Sequence, residues 1–231
     1  MGSAIVAFAG VGLLRNALPA WPQGVRPPAG RESGISVPES AIPFGNLTYG
    51  VERDGSKIGR HVMEISGTND VVTVLSETNI AVRILLITAY RFEQRAREVW
   101  RGGRLIEFSA TTNDDGSRNQ VDARARDDAL VLTVGGRTAT MPATVMPASL
   151  WNPHLIKQSK LFDTADGRPL NINVQFAGEE SLTVRGSNVT ARRFSFTGDV
   201  TREIWYYPTW TPVQAHLLRS KDKSIVKFVL T

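Results

Sequence analysis

The sequence predicts an all-β chain, a mostly antiparallel meander with one short helix near residues 153–159, and two observations carry that prediction. Turn signals recur at hairpin spacing from Leu47 onward: Asp54-Gly55, Gly67 to Asp70, Gly102-Gly103, Asp115-Gly116, Asp127-Asp128, Gly135-Gly136, Asp166-Gly167, Gly178 to Glu180 and Gly198-Asp199. Gly or Asp at a hairpin tip supplies the positive φ that tight β-turns need. Between these pairs lie segments rich in Val, Ile, Thr, Phe and Tyr, whose branched and aromatic side chains suit a pleated, half-buried surface. A meander of about ten or more strands follows. No strand alternates with a long helical pattern, which excludes parallel-sheet cofactor folds and their phosphate-binding glycine loops.

In chain order, residues 3–14 (SAIVAFAGVGLL) form an apolar run of signal-peptide length, and Leu18-Pro19-Ala20 offers a small residue for cleavage. Residues 1–20 are therefore expected to be a signal peptide. No Lys or Arg precedes the run, which a truncated or misassigned start would explain; a short buried helix is the alternative. Residues 19–45 hold six of the 12 prolines, and 21–46 are read as a disordered leader, because such a stretch buries too little apolar surface to offset its ordering entropy. Residues 47–231 are expected to form one β domain, periplasmic or secreted.

Within that domain Ile80 to Arg101 reads as the most informative strand. Alternation places Tyr90, Phe92, Gln94, Ala96, Glu98 and Trp100 on one face, and Arg91, Glu93, Arg95, Arg97, Val99 and Arg101 on the other. One face is wet and cationic; the other is aromatic and looks inward. Glu98 on the inner face must be paired, hydrogen-bonded or protonated, and an inward Arg or Tyr hydroxyl is the expected structural partner. The meander breaks at residues 142–160, where three prolines punctuate the chain and Asn152 is placed to cap a short helix over 153–159.

Composition narrows the function classes. Lys plus Arg outnumber Asp plus Glu by 27 to 22, and 21 of the 27 are Arg scattered without a block, a mildly basic surface and not a nucleic-acid arm. No window holds the roughly 18 apolar residues a membrane-spanning helix needs. The absence of Cys excludes a disulfide framework, a thiol nucleophile and a thiolate metal site. His61, His154 and His216 lie far apart with no metal-ligand spacing, so no metal and no cofactor are expected. No Gly-x-Ser-x-Gly motif supports serine hydrolysis. Asp114-Asp115-Gly116-Ser117 lacks the distal Glu of a calcium loop and is read as a turn.

Several segments together resemble an uncharacterised family of exported bacterial proteins defined only as a domain of unknown function. They are Tyr49-Gly50-Val51, Asp54 to Gly59, Glu98 to Leu105, Thr112 to Gly116, Leu150-Trp151-Asn152 and Trp205-Tyr206-Tyr207. More distantly the organisation resembles the spiral β-roll or half-open barrel group that includes periplasmic lipoprotein carriers and a violacein-pathway enzyme. The resemblance implies a strongly curved antiparallel sheet and an extracytoplasmic address; it carries no catalytic residues to transfer.

The remaining signal is aromatic. Trp100, Trp151, Trp205, Tyr206, Tyr207 and Trp210 either line a cavity or fill the core; Tyr90 and Phe92 join Trp100 and Trp205 as the expected ligand face, and Glu98 and His154 are the polar groups that would serve a ligand there. The expected function is binding of a lipid or other amphiphile on that concave face. An envelope-protein interaction module and an enzyme without a recognisable motif are the alternatives, and no catalytic residue is assigned.

Overall fold

The computed structural model describes residues 35–84, 87–219 and 222–231. Its strands in chain order are β1 (Gly45–Arg53), β2 (Ser56–Gly67), β3 (Val71–Ile84), β4 (Ile87–Arg101), β5 (Arg104–Asp114), β6 (Ser117–Arg126), β7 (Ala129–Val134) and β8 (Arg137–Pro142). They continue as β9 (Met146–Pro147), β10 (Lys160–Phe162), β11 (Pro169–Val184), β12 (Ser187–Gly198), β13 (Arg202–Tyr206), β14 (Pro212–Leu218) and β15 (Ile225–Leu230). All belong to one sheet in the order β8 to β1, then β15 down to β9. The first and last strands thus meet at its centre, where Tyr49 pairs with Leu230 and Val51 with Phe228. Every neighbour is antiparallel except the β9–β10 pair. The sheet does not close, and its two edges, β8 and β9, are consecutive in the chain. A sheet this wide must curl to bury its apolar face, and residues of opposite halves such as Val51, Phe92, Phe108, Phe196 and Phe228 share one core.

The hairpin tips are built as the sequence demands. Asp54 and Gly55 take φ of 50° and 77°, and Asp115 and Gly116 take 51° and 95°. Two tips lie elsewhere. Gly178 (φ 110°) is not a turn but a bulge inside β11, where the register to β12 shifts between Phe176 and Gly178, and the reversal falls at Arg185-Gly186. Ile80 to Arg101 is not one strand: Ile84 pairs with Ile87 across a reversal whose residues 85–86 lie outside those described. The apolar sequence around that reversal carries no turn residue, which is why the expected strand runs through it.

Residues 143–168 leave the meander and pass through the inside of the curl. Val145, Leu150, Trp151, Leu155, Leu161 and Phe162 are all buried there, each stabilising the fold by roughly 1.5–3 kcal/mol relative to exposure. The short helix is a 3₁₀ turn over Pro153–Lys157; the Asn152 side chain accepts the His154 N–H at 2.9 Å, the capping expected of it. Phe162 meets Phe108 of the wall edge-to-face at 5.1 Å. The interior is filled by this segment.

The expected signal peptide and most of the leader lie outside the described residues. The leader's end does not behave as disordered chain: Val37 and Ala41 are buried in the core, and the Lys157 ammonium donates to the Val37 carbonyl at 3.3 Å. β1 begins at Gly45. Val37, Ala41 and Ile42 are apolar residues set between prolines, enough to dock a segment that need not itself be a strand.

Candidate functional site

Strand alternation positions the inner face of β4 as expected. Tyr90, Phe92, Gln94, Glu98 and Trp100 are buried, while Arg91, Arg95 and Arg97 on the other face are exposed or nearly so. The Glu98 carboxylate, 2% exposed, accepts the Trp100 indole N–H at 2.8 Å and the Trp151 indole N–H at 3.0 Å, both on Oε2. The two indoles meet edge-to-face at 5.6 Å. The partner is thus neither Arg nor Tyr but two neutral donors. Burial pushes the Glu98 carboxyl above its ordinary value, and the Trp151 and Trp100 bonds pull it part of the way back.

Little room remains beside this cluster. The space bounded by His61, Gln94, Glu98, Leu150, Trp151 and Thr164 amounts to about 10 Å³, about enough for one water. Its polar lining is largely self-satisfied: His61 Nδ1 lies 2.8 Å from Thr78 Oγ1, and the Gln94 amide donates to Thr112 at 3.0 Å. A second polar group of the interior surrounds Asp163 and Arg202. Asp163 is fully buried and accepts the Ala165 N–H at 2.8 Å; burial and then Asp166 raise its carboxyl to about 8. Arg202 donates to the Ala148 carbonyl at 3.2 Å and lies 4.5 Å from the Phe196 ring centre. Arg202 ties the inserted segment to the wall, whereas the Asp163 bond closes a turn within that segment.

The structure brings Glu98, Trp100 and Trp151 together and separates the other expected site residues from them. Tyr90 lies toward the far end of β4, its hydroxyl donating to Asp114 at 2.5 Å, and Phe92 is packed core. His154 is half-buried on the 3₁₀ turn, its imidazole pKa lowered by burial and then by Lys157. Trp205 is on the opposite face. It pairs with Arg193, donates to Glu180 at 2.9 Å and has its ring centre 4.5 Å from that of His216 at a 57° tilt, whereas its neighbours Ile204 and Tyr206 point into the core. β13 is buried on both faces, so its sequence has no polar alternation to reveal which way Trp205 points.

Ligand-sized space lies on the outer face of β2–β6, which sequence reasoning passed over. There the rows Val62–Glu77–Arg95–Thr111 and Glu64–Leu75–Arg97–Ser109 run side by side across the strands. A wide-open trough of about 610 Å³ lies along them, with Arg60 in its lining, inside the usual volume range for ligand sites. Leu75 in its floor is 45% exposed. Arg95 pairs with Glu77 at 3.3 Å, and Arg97 and Arg124 both reach Glu107, at 3.1 and 3.3 Å. The Asn79 amide, and after it the Arg95 guanidinium, hold the Glu77 carboxyl below its ordinary value. No spacing rule in the sequence marks this trough, because its lining is drawn from five strands brought side by side by their register.

Among the described residues no group of three or more His, Asp or Glu is placed to hold a metal ion, and no helix is long and apolar enough to cross a membrane.

The fold is similar to that of a crystal structure titled a beta-barrel-like protein of domain of unknown function DUF1849, from Brucella abortus. The TM-score is 0.61 with 13% identity over 82% of this chain and 97% of that one. At that identity the likeness speaks for the fold. No curated protein matches the chain. A family model described as a domain of unknown function, DUF6134, matches residues 49–225, from β1 to the first residue of β15, and the chain belongs to that family.

Proposed function

We propose that this chain is a binding domain of the cell envelope that takes an anionic amphiphile in the open trough across β2–β6, not within its aromatic interior. One observation carries the reading: the hollow beside Glu98 leaves about 10 Å³, whereas the trough offers about 610 Å³ and sets an exposed leucine beside the Arg97 guanidinium. Leu75 and Val62 give an apolar chain a surface, and Arg95 and Arg97 face its charged end. Both arginines lie beside carboxylates they already engage, so an incoming anion exchanges one charge-assisted bond for another. Export rests on the apolar run of residues 3–14 alone.

Titration of the full chain with a dansylated undecanoic acid tests the site. Saturable binding is expected, abolished by Leu75→Glu and retained in Trp100→Phe. Loss on Trp100→Phe with retention in Leu75→Glu would return the site to the interior. For export, residues 1–46 fused to a periplasm-dependent reporter should activate it; an inactive reporter would refute the address.

A second reading, contact with another envelope protein, has one favouring observation. Edge strand β8 is exposed along most of its length and carries no charge from Thr138 to Pro142, leaving a row of backbone groups open for strand addition.

A further inference from the structure

Beside the trough, and sharing Arg95, Thr111 and Gln120 with it, lies a second hollow of about 570 Å³ over β3–β6. Its lining is entirely polar. We infer that this hollow is a head-group subsite for an acidic sugar, so that the amphiphile of the trough is a glycolipid whose glycosyl head carries a carboxylate. The inference rests on the amphiphile reading above and specifies its ligand.

The chemistry of the lining selects the class. The hollow presents the amides of Asn79, Asn113 and Gln120 and the Thr111 hydroxyl on neighbouring strands, with Glu93 and Arg118 beside them. An amide sets a donor and an acceptor side by side, the pairing that adjacent sugar hydroxyls require. These amides are also held in place. Asn79 donates to Glu77 at 2.6 Å, Asn113 donates to Glu93 at 3.3 Å and accepts the Gly116 N–H at 3.0 Å, and Gln120 donates to Asp122 at 2.9 Å. The bonds of Asn79 and Gln120 engage only the amide nitrogen, whereas Asn113 is engaged at both ends.

Competing occupants fit less well. An alkyl chain would strip water from all these groups without replacing its hydrogen bonds. The hollow has no aromatic side chain, so a neutral pyranose would lack a stacking platform and recognition must come from hydrogen bonds and charge. Arg118 is exposed and reaches no carboxylate among the described residues. It is the cation in the hollow most available to an acid group, opposite Asn113 in the β5–β6 register.

Isothermal titration calorimetry on the full chain, with dodecyl glucuronide, dodecanoate, dodecyl phosphate and free glucuronate, tests this. Dodecyl glucuronide is expected to bind at least about tenfold tighter than dodecanoate or dodecyl phosphate, because all three are anionic and only the glucuronide adds sugar hydroxyls for the amides while carrying its carboxylate to Arg118. Free glucuronate should bind far more weakly than any of the three. Arg118→Ala should pull the glucuronide-to-dodecanoate affinity ratio toward one, while Arg137→Ala on the distant edge strand should keep it. Equal affinity for glucuronide, phosphate and carboxylate would overturn the sugar subsite and leave the amphiphile site standing. Free glucuronate binding as tightly as its dodecyl glycoside would overturn the glycolipid assignment. Failure of every alkyl ligand to bind would remove the amphiphile site itself.

Discussion

Trp151 and Glu98, 53 residues apart in the chain, are joined by a 3.0 Å hydrogen bond, and Trp100 donates to the same carboxylate oxygen at 2.8 Å. The bond ties the inserted segment to the inner wall at β4. Because both donors are neutral, the carboxylate's charge is solvated only by dipoles, and its role differs from that of an ion pair.

That difference decides the response to Glu98→Gln. In an ion pair the substitution would strand a buried cation at a cost of about 3–5 kcal/mol. Here Gln keeps an acceptor for both indoles and removes a charge that burial disfavours. The Glu98 carboxyl is raised in the fold, so its contribution to stability is full below its ordinary value of 4.5 and declines as pH rises through the folded value. Glu98→Gln should melt no lower than the parent at neutral pH. Glu98→Ala, which leaves two buried N–H groups without an acceptor, should lose about 2–5 kcal/mol in denaturant unfolding. A Gln variant as damaged as the Ala variant would argue for an essential charge.

The pH dependence of stability has two further sources of opposite sign. Asp163, raised from 3.8 to about 8, stabilises fully at low pH and loses that contribution as pH rises toward 8. His61 and His216, each lowered to about 4 with burial as the largest cause, contribute fully above 6.5 and lose it as pH falls toward 4. Between 6.5 and 8 the histidines no longer change, so a decline in melting temperature there belongs to the buried carboxyls. Asp163→Asn, whose amide oxygen can still accept the Ala165 N–H, should flatten the decline. An unchanged slope would place the titration elsewhere.

Gly167 and Gly103 share a φ of 73° but not their surroundings. A Cβ at Gly167 would lie 2.5 Å from Val134 Cγ2 and 3.2 Å from Leu132 Cδ2, whereas one at Gly103 would meet open space. Gly103→Ala should cost about 1 kcal/mol for the backbone alone. Gly167→Ala should cost that plus about 1–3 kcal/mol of overpacking against β7. Equal losses would mean that the turn after Asp163 does not press on the wall.

The docked stretch ahead of β1 gives a truncation test. A chain beginning at Leu47 discards the buried Val37 and Ala41 and the first residues of β1. It should unfold at a lower temperature than one beginning at Ile35, by the equivalent of several kcal/mol at about 1.5–3 kcal/mol per buried side chain. Equal midpoints would show that residues 35–46 contribute nothing.

What the sequence made legible, and what it hid, follows from the range of the interactions concerned. Turn chemistry at Asp54-Gly55 and Asp115-Gly116 is local, and β4 faces water on one side only, so its alternation identifies the inner position of Glu98 correctly. The Asn152 cap is local too. Trp205 was unreadable because Arg193, Glu180 and His216 cover it on the outer face, so that burial no longer tracks inside and outside. The two indole partners of Glu98 come from the same strand and from a segment 53 residues away, a meeting no periodicity encodes. The trough around Leu75 is lined from five strands, and an exposed leucine in a sequence looks like any other.

The account's central claim is that the ligand sits outside the curled sheet. Photolabelling of the full chain with a diazirine-bearing fatty acid, followed by peptide mapping, tests it most directly. The account predicts saturable adducts on β2, β3 and β5, at Val62, Leu75 or Ser109, and their loss in Leu75→Glu. Adducts on Trp100, Phe108, Trp151 or Phe162, with none in the trough, would contradict it and place the ligand in the aromatic interior.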